Sequence, residues 1–158
     1  MRPTSRLATS VHLMAYLGHK EGLPVTSKEL AASVHTHPVV IRRLLSRLKR
    51  SRLVLAEKGA KGGFRLAGEP DRITLLEVYR AVEPEASAGL KRFSPNTECP
   101  VGGRIGSILE KAFYRAQAGM EAELRQITLG EVLRQLRPDC PSEAKARTAN
   151  QGPPFTPD

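Results

Sequence analysis

The feature that most restricts the fold of this chain is a change of hydrophobic period just after Arg52. Upstream, Pro38 opens a segment in which Ile41, Leu44, Leu45 and Leu48 recur at helical spacing, with Arg42, Arg43, Arg47, Lys49 and Arg50 around the remainder. Proline suits the first position of a helix, where the N–H has no partner within the helix. Downstream, Leu53-Val54-Leu55-Ala56-Glu57-Lys58 reads as a strand, Gly59-Ala60-Lys61-Gly62-Gly63 as a turn and Phe64-Arg65-Leu66-Ala67 as the returning strand. Ahead of Pro38, Thr26-Ser27-Lys28-Glu29 sets a capping threonine three residues before a glutamate, a capping box for a short helix over 27–34. His35-Thr36-His37 is left as the turn between the two helices. A short helix, a tight turn, a second helix and a glycine-rich hairpin in that order predict a winged helix-turn-helix.

The rest of the chain is also mainly helical. Leu7, Val11, Met14 and Ala15, with Leu17 beside them, predict a first helix over 5–18, closed by Gly18, Gly22 and Pro24. A second capping box, Thr74 to Glu77, opens a helix to about Val82, and 84–97 reads as a linker holding Pro, Ser and Gly. From 101 to 126, Val101, Ile105, Ile108, Ala112 and Ala116 step by three or four residues, and Leu109, Phe113, Met120 and Leu124 widen the stripe. This predicts one long helix, with Gly106 inside it at a cost of about 1 kcal/mol relative to alanine. A third capping box, Thr128 to Glu131, begins a last short helix, and five prolines beyond residue 137 mark a disordered tail. The expected division is 1–83 for DNA binding, 84–100 for a linker and sensor loop, 101–137 for the dimerisation helix with the last short helix, and 138–158 for the tail. The long stripe is too wide for one small winged domain to cover. Val101, Ile105, Ile108, Leu109, Ala112, Phe113, Ala116 and Met120 are therefore expected to meet a second copy.

Charge narrows the function. There are 25 Lys and Arg against 16 Asp and Glu, a net +9 that points to a polyanionic partner. Nine of these cations lie between Arg42 and Arg65 against the single acid Glu57, so almost the whole excess sits on one helix and the hairpin after it. A charge run alone is usually the wet face of an amphipathic helix, but here it coincides with a complete helix-turn-helix and wing. The expected partner is double-stranded DNA. Thr36, His37, Val39, Val40 and Arg43, at the leading end of the second helix, are placed to reach base edges, with Arg47, Lys49 and Arg50 nearer phosphates. Ser27, Arg42 and Arg65 join that set, and Lys58 and Lys61 of the wing face the neighbouring backbone or minor groove. Gly62 and Gly63 are expected to let backbone N–H groups approach a phosphate. No run approaches the roughly 18 apolar residues of a membrane span. Without a secretion signal, and with only Cys99 and Cys140, the chain reads as a reduced cytoplasmic protein with no membrane partner.

Four motifs in order, Thr26-Ser27-Lys28-Glu29-Leu30-Ala31, His37-Pro38-Val39-Val40-Ile41-Arg42-Arg43, Gly59-Ala60-Lys61-Gly62-Gly63-Phe64-Arg65-Leu66 and Ile73-Thr74-Leu75-Leu76-Glu77-Val78-Tyr79, resemble the Rrf-two family of bacterial transcription regulators. The resemblance spans about 5–126. It implies a winged-helix dimer on an imperfect palindrome, with the long helices forming most of the interface. Cluster-binding members of that family carry three cysteines ahead of the long helix. Here 92–106 holds Cys99 alone, and iron–sulfur clusters take several thiolates, so no cofactor is expected. Cys99-Pro100-Val101-Gly102-Gly103 instead resembles the cluster-free, YwnA-like branch.

Two rival readings stand beside this one. The first is a regulator of the same family controlled by a bound cluster or metal. The second is a thiol-dependent redox enzyme built on Cys99, which lacks a second nearby cysteine and any histidine in that segment. No phosphate loop, nucleophile elbow or triad spacing supports an enzyme. His35 and His37 have no third ligand close by in sequence for a metal, and His12 and His19 read as structural. Pro100 fits the first position of the long helix and would set Cys99 at its N-cap. There the helix end favours the thiolate and makes Cys99 a candidate redox sensor, with Lys91, Arg92 and Arg104 assisting and Glu98 opposing.

Arg43→Ala is expected to cost about 1–3 kcal/mol of operator affinity and to relax specificity if Arg43 reads a guanine. Anisotropy titrations on duplexes differing at one base pair measure this. Unchanged affinity after charge reversal at both Arg43 and Lys49 would remove the DNA-binding assignment.

Overall fold

A computed structural model of the chain describes residues 5–59, 62–83 and 95–136. Its first element, α1 (Ser5–His19), buries Leu7, Leu13, Met14, Ala15 and Leu17 along one side. Next come α2 (Ser27–Val34) and α3 (Pro38–Arg50), then the strands β1 (Val54–Glu57) and β2 (Gly63–Leu66). A single 3-10 turn (Pro70–Arg72) leads into α4 (Leu75–Val82), and α5 (Gly102–Gln126) and α6 (Leu129–Leu136) complete the described chain. This is the expected mainly helical winged helix-turn-helix with a two-stranded wing.

Local chemistry sets these boundaries. Thr26 Oγ1 accepts the N–H of Glu29 at 3.2 Å and so caps α2. The expected reciprocal half is not formed, because the Glu29 carboxylate turns to Tyr16 Oη (2.9 Å) and Lys20 Nζ (3.7 Å), tying α2 to α1. At α4 the box is complete: Glu77 N donates to Thr74 Oγ1, and Glu77 Oε2 accepts from Thr74 N at 2.8 Å. The α2–α3 turn passes through His35 in the left-handed region (φ 53°), a conformation that costs a side-chain-bearing residue about 1–2 kcal/mol. His37 then caps α3, its Nδ1 accepting the Val39 N–H at 3.2 Å.

The wing is antiparallel, with Val54 opposite Leu66 and Glu57 opposite Gly63. It has a third, one-residue strand that periodicity does not reveal. Val25 N donates to Phe64 O (2.9 Å) and Phe64 N to Val25 O (2.8 Å), fastening β2 to the segment before α2. That approach explains Gly63, where a Cβ would come within 2.6–2.9 Å of the Val25 backbone.

A second bridge closes the chain on itself. Leu75 N donates to Ile127 O (2.9 Å) and Leu129 N to Ile73 O (2.8 Å), so α6 begins beside the start of α4. From there α6 packs on α1 and on the 3-10 turn, fully burying Leu129 and pairing Arg134 with Asp71 at 2.5 Å. Although sequence order groups α6 with the long helix, its apolar face completes the core formed by α1 to α4. Of the expected linker 84–100, the described part is 95–100, and the tail 138–158 lies outside the described residues.

Leu129→Ala removes a wholly enclosed side chain and should lower unfolding stability by about 2–5 kcal/mol. A urea midpoint that stays where it was would mean that α6 is not part of the core.

Candidate nucleic-acid interface

The outer face of α3 is made cationic by what its inner face buries. Ile41, Leu44, Leu45 and Leu48 point into the core, which turns Val39, Val40, Arg42, Arg43, Ser46, Lys49 and Arg50 outward. Among the described residues none of these four cations is in an ion pair; Arg42 Nε only leans back on the Pro38 carbonyl at 3.4 Å. Val39, Arg42, Arg43, Ser46, Arg47 and Arg50 line one shallow, open depression along the helix. Thr36 and Ser27 are half-buried at the leading ends of α3 and α2, and His37, the next residue after Thr36, is exposed.

Three expected contacts have other work in the fold. Arg47, expected near phosphates, turns inward and donates from Nη1 to the Val82 carbonyl at 2.8 Å. It thereby satisfies one of the carbonyls that the last turn of α4 leaves open. Arg65 pairs across the wing with Glu57. The Gly62 N–H, expected to face a phosphate, closes the wing turn on Gly59 O at 3.0 Å, and a Cβ on Gly62 would overlap the Glu57 carbonyl oxygen. Lys58 is exposed at the base of the wing tip, and Lys61 lies outside the described residues.

The long helix differs from every other helix in the fold. None of its residues is buried within the chain. It meets α4 through Gln117, which donates to Tyr79 Oη (3.0 Å) and Glu121 (2.9 Å), and through the pair Arg80–Glu121 (2.6 Å). The Gln117 amide and the Arg80 guanidinium hold the Glu121 carboxyl below the usual carboxylate range. Met120, expected in the dimer stripe, instead lies on the inner side with Leu124, packed against the core. Val101, Ile108, Ala112, Phe113 and Ala116 remain exposed, while Ile105 and Leu109 are half-buried.

Cys99 is not the N-cap. Regular helix begins at Gly102, with Val101 capping it in helical conformation and the Cys99 carbonyl accepting the Gly103 N–H at 2.9 Å. The reason is a turn folded over the helix start: Asn96 Oδ1 accepts the Glu98 N–H (3.0 Å), and the Asn96 carbonyl sits where a Cβ on Gly102 would be. Gly102 therefore positions this segment, a role that only the close backbone approach reveals. The exposed thiol receives the Gly102 and Val101 N–H groups, which lower its pKa from the ordinary thiol value. One thiol does not fit an iron–sulfur cluster, and among the described residues no group of three or more His, Cys, Asp or Glu could hold a metal ion. Cys140 lies outside the described residues.

Comparison with known proteins places this arrangement among regulators. The Rrf2 family model, described as an iron-dependent transcriptional regulator, matches residues 3–135. The Bacillus subtilis HTH-type transcriptional regulator YwnA is 37% identical over 132 residues, covering 84% of this chain and 97% of its own. A crystal structure described as a DNA-binding protein superposes with a TM-score of 0.65 at 36% identity, over 82% of this chain and 99% of that one. IscR of T. potens shares the fold, with a TM-score of 0.67 at 21% identity over 93% and 96% of the two chains.

Arg47 and Lys49, two positions apart on α3, should separate cleanly by mutation. Arg47→Ala should lower the melting temperature, because a partly buried carbonyl loses its donor at about 1–3 kcal/mol. Lys49→Ala should leave melting unchanged, weaken binding to all DNA sequences alike and flatten the salt dependence by about one counterion. Calorimetry and salt-dependent anisotropy would read both, and a thermal effect at Lys49 alone would reverse the assignment.

Proposed function

Since the chain belongs to the Rrf2 family of DNA-binding transcriptional regulators, we propose that it acts as a homodimer on a palindromic operator. The observation that carries this reading is the unburied α5. A 25-residue helix with Ile108 59% exposed and Phe113 51% exposed leaves an apolar stripe that a single chain does not cover. A second copy of the same stripe is the self-complementary solution, and a two-fold axis between the α5 helices presents two α3 helices to one face of the duplex. The base contacts fall to Thr36, His37, Val39, Val40 and Arg43, and the phosphate contacts to Ser27, Arg42, Lys49, Arg50 and the wing residues Lys58 and Lys61. No helix of the described residues is long and apolar enough to cross a membrane.

A redox input through Cys99 is the second part of the reading, supported by its exposure and its lowered pKa. The thiolate sulfur attacks a peroxide oxygen, the O–O bond breaks, and water or an alcohol leaves after taking up a proton. Cys99 remains as a sulfenic acid at the foot of α5, where a change of packing would move the two α3 helices relative to each other.

Ile108→Asp or Phe113→Asp should shift micromolar protein from dimer to monomer in sedimentation equilibrium, and a parent that is monomeric there contradicts the dimer. In a Cys140→Ser background, iodoacetamide should label Cys99 at a pH where an ordinary exposed thiol is still mostly protonated. Peroxide should change operator binding in the parent and not in Cys99→Ser. A response that persists in the serine variant, or none in the parent, removes the sensor.

A further inference from the structure

The leading turn of α3 carries chemistry more selective than positive charge. From Ala31 to Ala56 there is no Asp, Glu, Asn or Gln. Direct reading of adenine depends on an amide that accepts from N6 while donating to N7, and reading of cytosine on an acceptor for its N4 amine. No carboxylate or amide side chain exists on the helix or the turn before it, which leaves the hydroxyls of Thr36 and Ser46 as the side-chain oxygen acceptors there. His37 does not supply the acceptor, because its Nδ1 already takes the Val39 N–H, so the remaining ring nitrogen, Nε2, can only donate. The Ser46 hydroxyl gives its proton to Arg42 O at 2.8 Å and keeps its lone pairs, but it lies about two turns beyond the leading end, and Thr36 offers one hydroxyl rather than the paired acceptor and donor that distinguish adenine.

What the turn does offer is donors and methyl groups. Val39 and Val40 are 40% and 45% exposed at the end of the helix that leads into DNA. Valine in a helix is nearly fixed at χ1, so these methyls hold one position before any partner arrives. Val39 shares its depression with Arg42 and Arg43, the donors one turn further on. In the major groove, thymine presents a 5-methyl group beside the O4 acceptor and guanine presents two acceptors, N7 and O6.

We propose that α3 reads its operator chiefly through keto bases, Val39 and Val40 packing on thymine methyls while His37 Nε2 and Arg43 donate to thymine O4 or guanine N7 and O6. Adenine and cytosine are then specified mainly through their pairing partners. This rests on α3 being the element that enters the groove.

The test uses full-length protein and duplexes selected from a random pool. Each thymine in the selected site is replaced in turn by deoxyuridine, which pairs identically and lacks only the methyl, and each guanine by 7-deazaguanine. At least one deoxyuridine per half-site should weaken binding by about fourfold, the scale of one buried methyl. Val39→Ala or Val40→Ala should bind the thymine and uracil forms equally. Sequence preference that persists while every deoxyuridine is silent overturns the proposal, and that arm needs no variant. So does an undiminished methyl effect in both alanine variants. A pool that yields no preferred sequence overturns the operator-binding reading itself and this inference with it, an outcome distinct from silent deoxyuridines.

Discussion

Burial of Ile41, Leu44, Leu45 and Leu48 along one side of α3 is the contact on which the rest of the molecule depends. Each such side chain contributes about 1.5–3 kcal/mol when taken out of water, enough together to fix the rotation of the helix about its own axis. That rotation decides which residues face outward, and so turns a row of arginines into a surface with one direction. Arg47 adds a positional lock, reaching the Val82 carbonyl across the α3–α4 contact. Arg6 of α1 holds Glu83 at 3.0 Å beside it, so the end of α4 is gripped from two sides. A helix held this firmly has a backbone already in place before any partner engages its outer face.

The two isolated bridges extend the same principle to the remaining elements. Val25 with Phe64 fastens the wing to the segment before α2, so hairpin and α3 are carried by one body. Thr74 with Thr128 brings α6 back onto α1, which anchors the far end of α5 to that body. The leading half of α5 is left projecting with its apolar stripe exposed. In the proposed dimer, Cys99 sits at the foot of that helix, beside the start of the stripe proposed to meet the second copy.

How much of this was legible beforehand follows from the range of each signal. Caps, proline and periodicity are local, and they located α2, α3, the wing and α4 to within a residue or so. Contacts between distant segments were invisible to them. The Val25 bridge is one residue long and has no period, while α6 belongs with α1 because of backbone bonds to Ile73, far away in sequence. Arg47 looked like its cationic neighbours because composition does not report which way a side chain turns. Cys99 was displaced from the helix cap by the turn at Asn96, whose fold over Gly102 needs three dimensions to see. From sequence alone the glycines of the wing look like openings towards DNA, whereas the crowding at Val25 and Glu57 supplies a packing reason for both.

Dimethyl sulfate protection on a selected operator tests most directly whether α3 enters the major groove in symmetric pairs, since the reagent methylates guanine N7 there and adenine N3 in the minor groove. Two clusters of protected guanines are expected, related by a two-fold axis and separated by a whole number of DNA turns. A single cluster, or protection confined to adenine N3, would contradict the paired insertion of α3.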